Sequence, residues 1–178
     1  MAFRFDTIAT LGDPPINHLT SSYYVAEKRQ LAREIVCFDN FEAAAQAAVS
    51  GDVQAALIAG AYPKIRAIIM DERLTCVDAF VEQIPPLVVC GFQSVAPDQV
   101  ETIYLHPATL SLLPEVKTGY AQAVETKATS AAAAKAKEDF QSVAICNKLA
   151  ADYYGLTIHQ ELRPSLNMPF SIFKRAEA

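Results

Sequence analysis

At roughly 100–200 residues per domain, 178 residues are enough for one domain or two small lobes and exclude a large multidomain enzyme. With 52% hydrophobic and 20% charged residues the chain has the composition of a folded domain, not a disordered segment, and at this length roughly 70% of the unfolded surface is buried without disulfides or a structural metal. The formal charge of −5, from 15 Lys+Arg against 20 Asp+Glu with no basic run beyond Lys28-Arg29 and Lys174-Arg175, argues against nucleic acid as a partner. The start, Met1-Ala-Phe-Arg-Phe-Asp6, lacks the apolar stretch of a secretory signal, and no apolar run approaches the roughly 18 residues of a membrane span, so a cytoplasmic protein without membrane contact is expected. Cys37, Cys76, Cys90 and Cys146 are too far apart for a zinc or CxxC motif and read as buried, reduced thiols.

In chain order, Thr7 to Leu11 reads as a buried strand stopped by Gly12-Asp-Pro-Pro15. A helix is predicted from Asn17 or Thr20 to Arg33, a second strand over Glu34–Phe38, and an alanine-rich helix over Phe41–Val49, capped by Asp39-Asn40 and closed by Ser50-Gly51. Val53–Ala59 is a third strand, Tyr62–Met70 a helix, and Leu74–Gln83 and Leu87–Gly91 two strands in succession across Pro85-Pro86. The polar segment Gln93 to Asp98 is the expected crossing between lobes. Beyond it come a strand at Glu101–Leu105, a short helix opened by His106-Pro-Ala-Thr109, a strand at Ala121–Glu125 and a helix over Ala131–Lys135 that Thr129-Ser130 would cap. Ser142–Cys146, a helix from Asn147 to Tyr154 stopped by Gly155, and strands at Leu156–Glu161 and Phe170–Lys174 complete the pattern. This alternation is an α/β fold of two lobes, one over about residues 1–93 with 163–178 and the other over about 94–162, with a ligand expected between them.

Gly12 to Thr20, Gly60 to Lys64, His106 to Thr109 and Thr129-Ser130 each put hydroxyls, amides or a histidine between a strand and a helix start, where free N–H groups and the helix dipole favour an anion. Asn17, Thr20, Thr129 and Ser130 are thus candidate ligands for a small carboxylate, although taken singly such residues more simply cap helices. His106, held extended by Pro107, is the candidate acid or hydrogen-bond donor; on spacing alone a structural histidine is the simpler reading. His18 shares a loop with Asn17, and His159 reads as a surface residue on a terminal strand. Lys64, Arg66, Lys127 and Lys174 are cations near predicted strand ends, each more simply a solvated charge. There is no phosphate-binding glycine loop and no Gly-x-Ser-x-Gly elbow, which disfavours nucleotide binding and serine hydrolysis.

Thr10-Leu-Gly-Asp-Pro-Pro15, Tyr104-Leu-His-Pro107, Thr129-Ser-Ala-Ala-Ala133 and Ala151-Asp-Tyr-Tyr-Gly-Leu156 resemble, in order and over nearly the whole chain, motifs of the prephenate dehydratase family. The resemblance implies a two-lobed fold like that of type 2 periplasmic binding proteins. It also implies no cofactor or metal and a small carboxylic acid as substrate. The family's Asn-x-Thr-Arg-Phe, whose Thr helps expel the ring hydroxyl and whose Arg holds a carboxylate, reads here as Asn167-Met-Pro-Phe-Ser171, so aromatising dehydration lacks its expected groups. With the chain ending at Ala178, no regulatory amino-acid-binding domain is expected. Ala61-Tyr62, Asn147 to Ala150 and Met168 to Phe173 look closer to the prephenate decarboxylase of bacilysin biosynthesis, although Asp13 to His18 replaces the family's first loop.

The resemblance therefore implies a lyase that decarboxylates prephenate or a similar cyclohexadienyl acid in antibiotic or other secondary metabolism. His106 or Tyr62 would supply the proton, Thr129, Ser130, Thr20, Asn17, Lys64 and Ser171 would hold the substrate, and Phe170 with Tyr62 would form an apolar wall. A non-catalytic binding or sensor protein, and a dehydratase or isomerase of another ring acid as in the tropodithietic acid pathway, remain the alternatives. Its oligomeric relatives make a homodimer the assembly to expect.

Overall fold

The first apolar run forms strand β1, Phe5–Leu11, in a computed structural model that describes residues 4–12, 17–94, 96 and 98–177. The Asp13-Pro-Pro15 part of the expected turn, with Ile16 after it, lies outside the described residues. After a single 3₁₀ turn at Asn17–Leu19 come α1 (Ser21–Lys28), β2 (Ala32–Phe38), α2 (Phe41–Ser50), β3 (Ala55–Ala59), α3 (Ile65–Ile69) and β4 (Leu74–Ile84). Helix α1 stops five residues before the expected Arg33, because Gln30 takes a left-handed conformation (φ 52°) that ends the turn. The predicted Tyr62–Met70 helix shrinks to α3, with Tyr62 and Pro63 left in the turn before it.

These elements and the last strand of the chain, Leu166–Arg175 (β10), build a sheet in the order β2-β1-β3-β10-β4. Strands β1, β2 and β3 are parallel, and β10 runs antiparallel to β3 with Phe170 opposite Ala59 and Phe173 opposite Ala56. Ile8 and Ala9 on β1 and Leu57 and Ile58 on β3 are all fully buried, so both faces of the parallel strands are covered and their sequences read as continuous apolar runs. Phe41, Ala44, Ala45 and Ala48 recur at helical spacing and put the small side of α2 onto this sheet, against Ala9, Ile58 and Phe173.

The second unit contains β5 (Leu87–Gly91), β6 (Thr102–Leu105), a 3₁₀ stretch over Pro107–Glu115, β7 (Gln122–Glu125), α4 (Thr129–Glu138), β8 (Ser142–Asn147), α5 (Lys148–Tyr153) and β9 (Thr157–Arg163). Its sheet has the order β7-β6-β8-β5-β9, with β6, β7 and β8 parallel and β5 antiparallel to both β8 and β9. Val89, Ile103, Leu105, Val143 and Ile145 form its core, and Ala132, Ala133 and Ala136, none of them exposed, give α4 the small face that lets it pack close to β8. Both sheets thus repeat one plan of three parallel strands in 2-1-3 order followed by an antiparallel strand.

The chain passes from the first unit to the second at Ile84–Pro85 and back at Leu166–Asn167. The first passage lies at Pro85-Pro86 and not at Gln93–Asp98, so β5 belongs to the second unit; two prolines cannot donate to a sheet ladder and end β4 there. The cysteines also divide: Cys90 and Cys146 are buried as expected, but Cys37 is only half-buried and Cys76 on β4 is exposed.

Candidate functional site

In an open sheet of 2-1-3 order, strand succession reverses beside the first strand, and the carboxyl ends of the strands there are where ligands bind. In the second unit that point lies at the ends of β6 and β8. His106 leaves β6 with an extended backbone (φ −90°, ψ 144°), as Pro107 dictates, and caps the 3₁₀ stretch: its Nδ1 accepts the N–H of Ala108 at 3.2 Å. An accepting Nδ1 puts the proton of the neutral ring on Nε2. Burial lowers the pKa of His106 below its ordinary value, and the opposing pull of Glu125 is smaller. At rest the ring is therefore a neutral N–H donor; of the two expected roles, acid and hydrogen-bond donor, the second fits the resting form.

Helix α4 begins beside it, since Thr126 donates from its backbone to Leu105 at the end of β6 (2.7 Å). The expected caps, Thr129 and Ser130, do not cap: the N-cap is Ala128, which has no side chain to do so, and Thr129 and Ser130 are the first two helical residues. Helices α2, α5 and α1 are capped by side chains, by Asn40 (2.8 Å), Asn147 (2.9 Å) and Thr20 (3.3 Å), whereas the five-residue α3, like α4, is not. The first turn of α4 also lacks any acidic residue, so its N–H groups and positive dipole end meet no anion of its own turn. Thr129 and Ala131 are half-buried there; Ser130 is fully buried, and its hydroxyl has no hydrogen-bond partner. Leaving such a group unpaired costs about 1–3 kcal/mol, and an oxygen admitted to the helix start removes that cost.

In the first unit the equivalent edge holds the ends of β1, β2 and β3 and the start of β10. Gly12 ends β1 where a Cβ would lie 2.5 Å from Cys37 and 2.6 Å from Asn17 Oδ1, so only glycine lets these groups meet. Asn17 Oδ1 is buried and unpartnered; with the Ser130 hydroxyl it makes the pair of such atoms among the described residues, and the sequence singled out both residues. Cys37 beside it is a thiol pushed up to about 11 by burial, hence protonated at neutral pH. Thr20 is fully engaged: its hydroxyl lies 3.0 Å from the carbonyls of both Leu11 and Asn17 and accepts the N–H of Tyr23, which pins the start of α1 to the end of β1. It positions the loop and offers a ligand little.

Tyr62 and Lys64 follow β3 and converge on Glu42 in the first turn of α2. The Tyr62 hydroxyl donates to one carboxylate oxygen, and the Lys64 ammonium lies 3.0 Å from the other. Burial raises the carboxyl of Glu42, but these two hydrogen bonds outweigh it and hold the group below its ordinary pKa. Burial first and then the Glu42 carboxylate push the Tyr62 phenol well above its usual range. Its proton is held by Glu42, contrary to the expectation of a free proton donor. Glu42 is the site residue that the sequence reading missed. Its signal was an acid in a helix first turn, but nothing in the spacing joins it to Tyr62, twenty residues on.

Phe170 is not an apolar wall of a pocket: it has no exposed surface and stacks on Phe80 at 6.0 Å. Pro169 before it presses on Gly60, whose N–H donates to the Pro169 carbonyl at 2.7 Å and whose Cβ, if present, would lie 2.6 Å from the proline ring. Ser171 is half-buried on β10, opposite Ile58. Among the described residues no three His, Cys, Asp or Glu side chains converge to hold a metal ion. A hollow of about 540 Å³ in the second unit, lined by Asp98, Glu101, Phe140 and Gln141, lies at the amino ends of β6 and β8, away from this edge.

No family model and no curated protein matches the chain. Solved structures do. The prephenate dehydratase of Arthrobacter aurescens in complex with L-Phe matches with a TM-score of 0.72 at 19% identity, covering 97% of this chain and 61% of that one. GqqA, a quorum-quenching acylase, gives 0.68 at 20% identity over 97% and 65%. The periplasmic VFT2 domain of Bordetella pertussis BvgS gives 0.58 at 15% identity over 95% and 80%. The chain therefore has the two-lobed α/β fold of type 2 periplasmic binding proteins. Prephenate dehydratases are among its structural neighbours, and it spans about 61% to 65% of the length of the first two structures.

Proposed function

We propose that this chain is a cofactor-independent lyase acting on prephenate or a similar cyclohexadienyl carboxylic acid, and that it decarboxylates the ring without aromatising it. The observation that carries this reading is the start of α4: an uncapped, acid-free helix end over a buried hydroxyl that lacks a partner, beside the N–H donor of His106. Such a start holds a carboxylate, here the pyruvyl end of the substrate. Dehydration is disfavoured because the positions matching the dehydratase Thr and Arg are Pro169, packed on Gly60, and Phe170, sealed in the core.

In decarboxylation the bond to the ring carboxylate breaks, its electron pair enters the diene, carbon dioxide leaves, and a ring carbon takes up one proton while the ring hydroxyl stays. Solvent supplies that proton by way of His106. Burial makes the protonated ring a stronger acid than a free imidazolium, ready to release the proton it takes from water. The test is purified protein with prephenate, followed by ultraviolet absorbance, carbon dioxide release and product mass. Carbon dioxide with the hydroxyl retained is the expected result, and phenylpyruvate would overturn it.

One observation favours a second reading, a binding protein for a small carboxylate: the Tyr62 proton is held by Glu42 and His106 rests neutral, so neither presents an acid at rest. Tight binding of prephenate recovered unaltered would select that reading.

A further inference from the structure

We propose that strand β4 is the interface for a second copy of this chain, paired antiparallel about a two-fold axis at Ala79. Strand β4 ends the order β2-β1-β3-β10-β4 and, at 11 residues, is the longest strand of the fold. Its exposure alternates: Thr75, Val77, Ala79, Val81 and Gln83 form an exposed row, while Asp78, Phe80 and Glu82 face the other side and are half-buried. The exposed row carries no charge and no proline, and the strand's two acids, Asp78 and Glu82, sit on the half-buried face in ion pairs with Arg4, Lys28 and Arg29. Strand β2, at the opposite edge, exposes charges in Arg33 and Glu34.

Among the described residues of the first unit, the exposed large hydrophobic side chains are Ile69 (54%) at the end of α3, Met70 (72%) just after it, and Val77 (40%) and Val81 (62%) on β4. Val77 and Val81 thus turn large apolar side chains out from a strand with one free edge, where exposed apolar surface marks an interaction site.

The row also selects the partner. Antiparallel pairing centred on Ala79 puts Val77 opposite Val81 of the second copy, Val81 opposite its Val77, Thr75 opposite Gln83, and Ala79 opposite itself, where a small side chain lets the strands close. Branched apolar pairs meet at both positions flanking the axis, the kind of cross-strand contact that stabilises sheets. No acid directly opposes an acid, since Cys76 opposes Glu82 and Asp78 opposes Phe80, although Asp78 is diagonal to Asp78 and Glu82 of the second copy. The two acids are already neutralised within the chain, Asp78 by Arg4 and Glu82 by Lys28 and Arg29, both at 2.8 Å. Two chains of net charge −5 can thus meet along this edge with each of its acids already held in an ion pair of its own chain.

The full-length chain tests this. Sedimentation velocity at micromolar concentration is expected to give a dimer, and Val81→Lys, which places an ammonium opposite Val77 of the partner, a monomer; Phe140→Ser, an exposed position in the second unit, leaves the dimer intact. Residues facing each other across the axis have Cα atoms about 4.5–5.5 Å apart, within disulfide reach. In a Cys76→Ser background, Ala79→Cys oxidised with diamide therefore forms a disulfide-linked dimer on a non-reducing gel, whereas Gln83→Cys, which faces Thr75, stays single. This arm holds even if Val81→Lys fails to fold. A monomer at every concentration, or a dimer that Ala79→Cys does not link, overturns the proposal.

Discussion

His106 and Ser130 lie at one sheet edge, and each makes a prediction that a merely structural residue would not meet. The folded pKa of His106 lies below the ordinary 6.5, chiefly through burial, so the unfolded chain binds more protons between that value and about 6.5. Stability is complete above 6.5 and is lost as pH falls through the folded pKa; protonation also takes Nδ1 from the N–H of Ala108. His106→Asn keeps a capping oxygen and removes the titration, so its melting temperature should vary less between pH 7 and 5 than that of the parent chain, as thermal melts would record. The same variant should lower prephenate turnover by at least about 10²-fold if the ring relays the proton. The parent's turnover should then fall as pH rises above the lowered pKa, whereas a ring that only donates a hydrogen bond gives the opposite slope. Ser130→Ala removes an unpaired buried hydroxyl and should leave stability unchanged or raise it by up to about 1 kcal/mol. The loss of a hydrogen bond to a charged group should weaken carboxylate binding by roughly 10–100-fold in calorimetry. A drop in stability with unchanged binding would make Ser130 a packing residue.

At the scale of elements, sequence patterns located the described strands because β1, β3, β5 and β8 are apolar runs bounded by turn residues, and they placed Asn40 as a cap because it precedes a helical run by one position, whereas Asn147, expected as the first helical residue, is the cap of α5. They misplaced the start of α4 for a physical reason: Thr129 and Ser130 are good capping types, yet the N-cap position falls on the alanine before them, Ala128, which makes both first-turn residues. Composition favours a cap at that point; only the backbone shows its absence. Phe170 was misread in the same way, since an aromatic on a strand fits a pocket wall and a core equally well until the register places it opposite Ala59. The contact between the end of β3 and the start of β10 is likewise invisible to spacing, and it can be tested. Gly60→Ala puts a Cβ 2.6 Å from the Pro169 ring and 3.0 Å from its carbonyl, so it should destabilise by about 1–3 kcal/mol in urea unfolding. Pro169→Ala in the same chain should recover part of that loss, because the nearest clash is with the ring. Additive losses would mean that Gly60 is needed for something other than this contact.

At the scale of the whole molecule, alternation of strands and helices conveyed two α/β units and the return of the C-terminus to the first, but not which strands neighbour which. The order β2-β1-β3-β10-β4 puts the last strand of the chain between the third and fourth, and no local period encodes that insertion. It divides the two units unequally. The second is one continuous segment, Pro85–Leu166, with its own five-stranded sheet and a core of Val89, Ile103, Leu105, Val143 and Ile145. The first is discontinuous: without Asn167–Ala178 its β4 loses its sheet neighbour β10, and Phe170, Ile172 and Phe173, all essentially unexposed, are missing from its core. Removing three such side chains, at about 1.5–3 kcal/mol each for burial alone, takes away a large share of the 5–15 kcal/mol by which domains are stable. A fragment spanning 85–166 is therefore expected to fold alone, with dispersed amide resonances and a cooperative melt. A fragment spanning 1–84 should give neither, and adding a synthetic peptide of residues 166–177 should restore both. Cooperative folding of 1–84 by itself would show that the inserted strand contributes far less to the first unit than its burial implies.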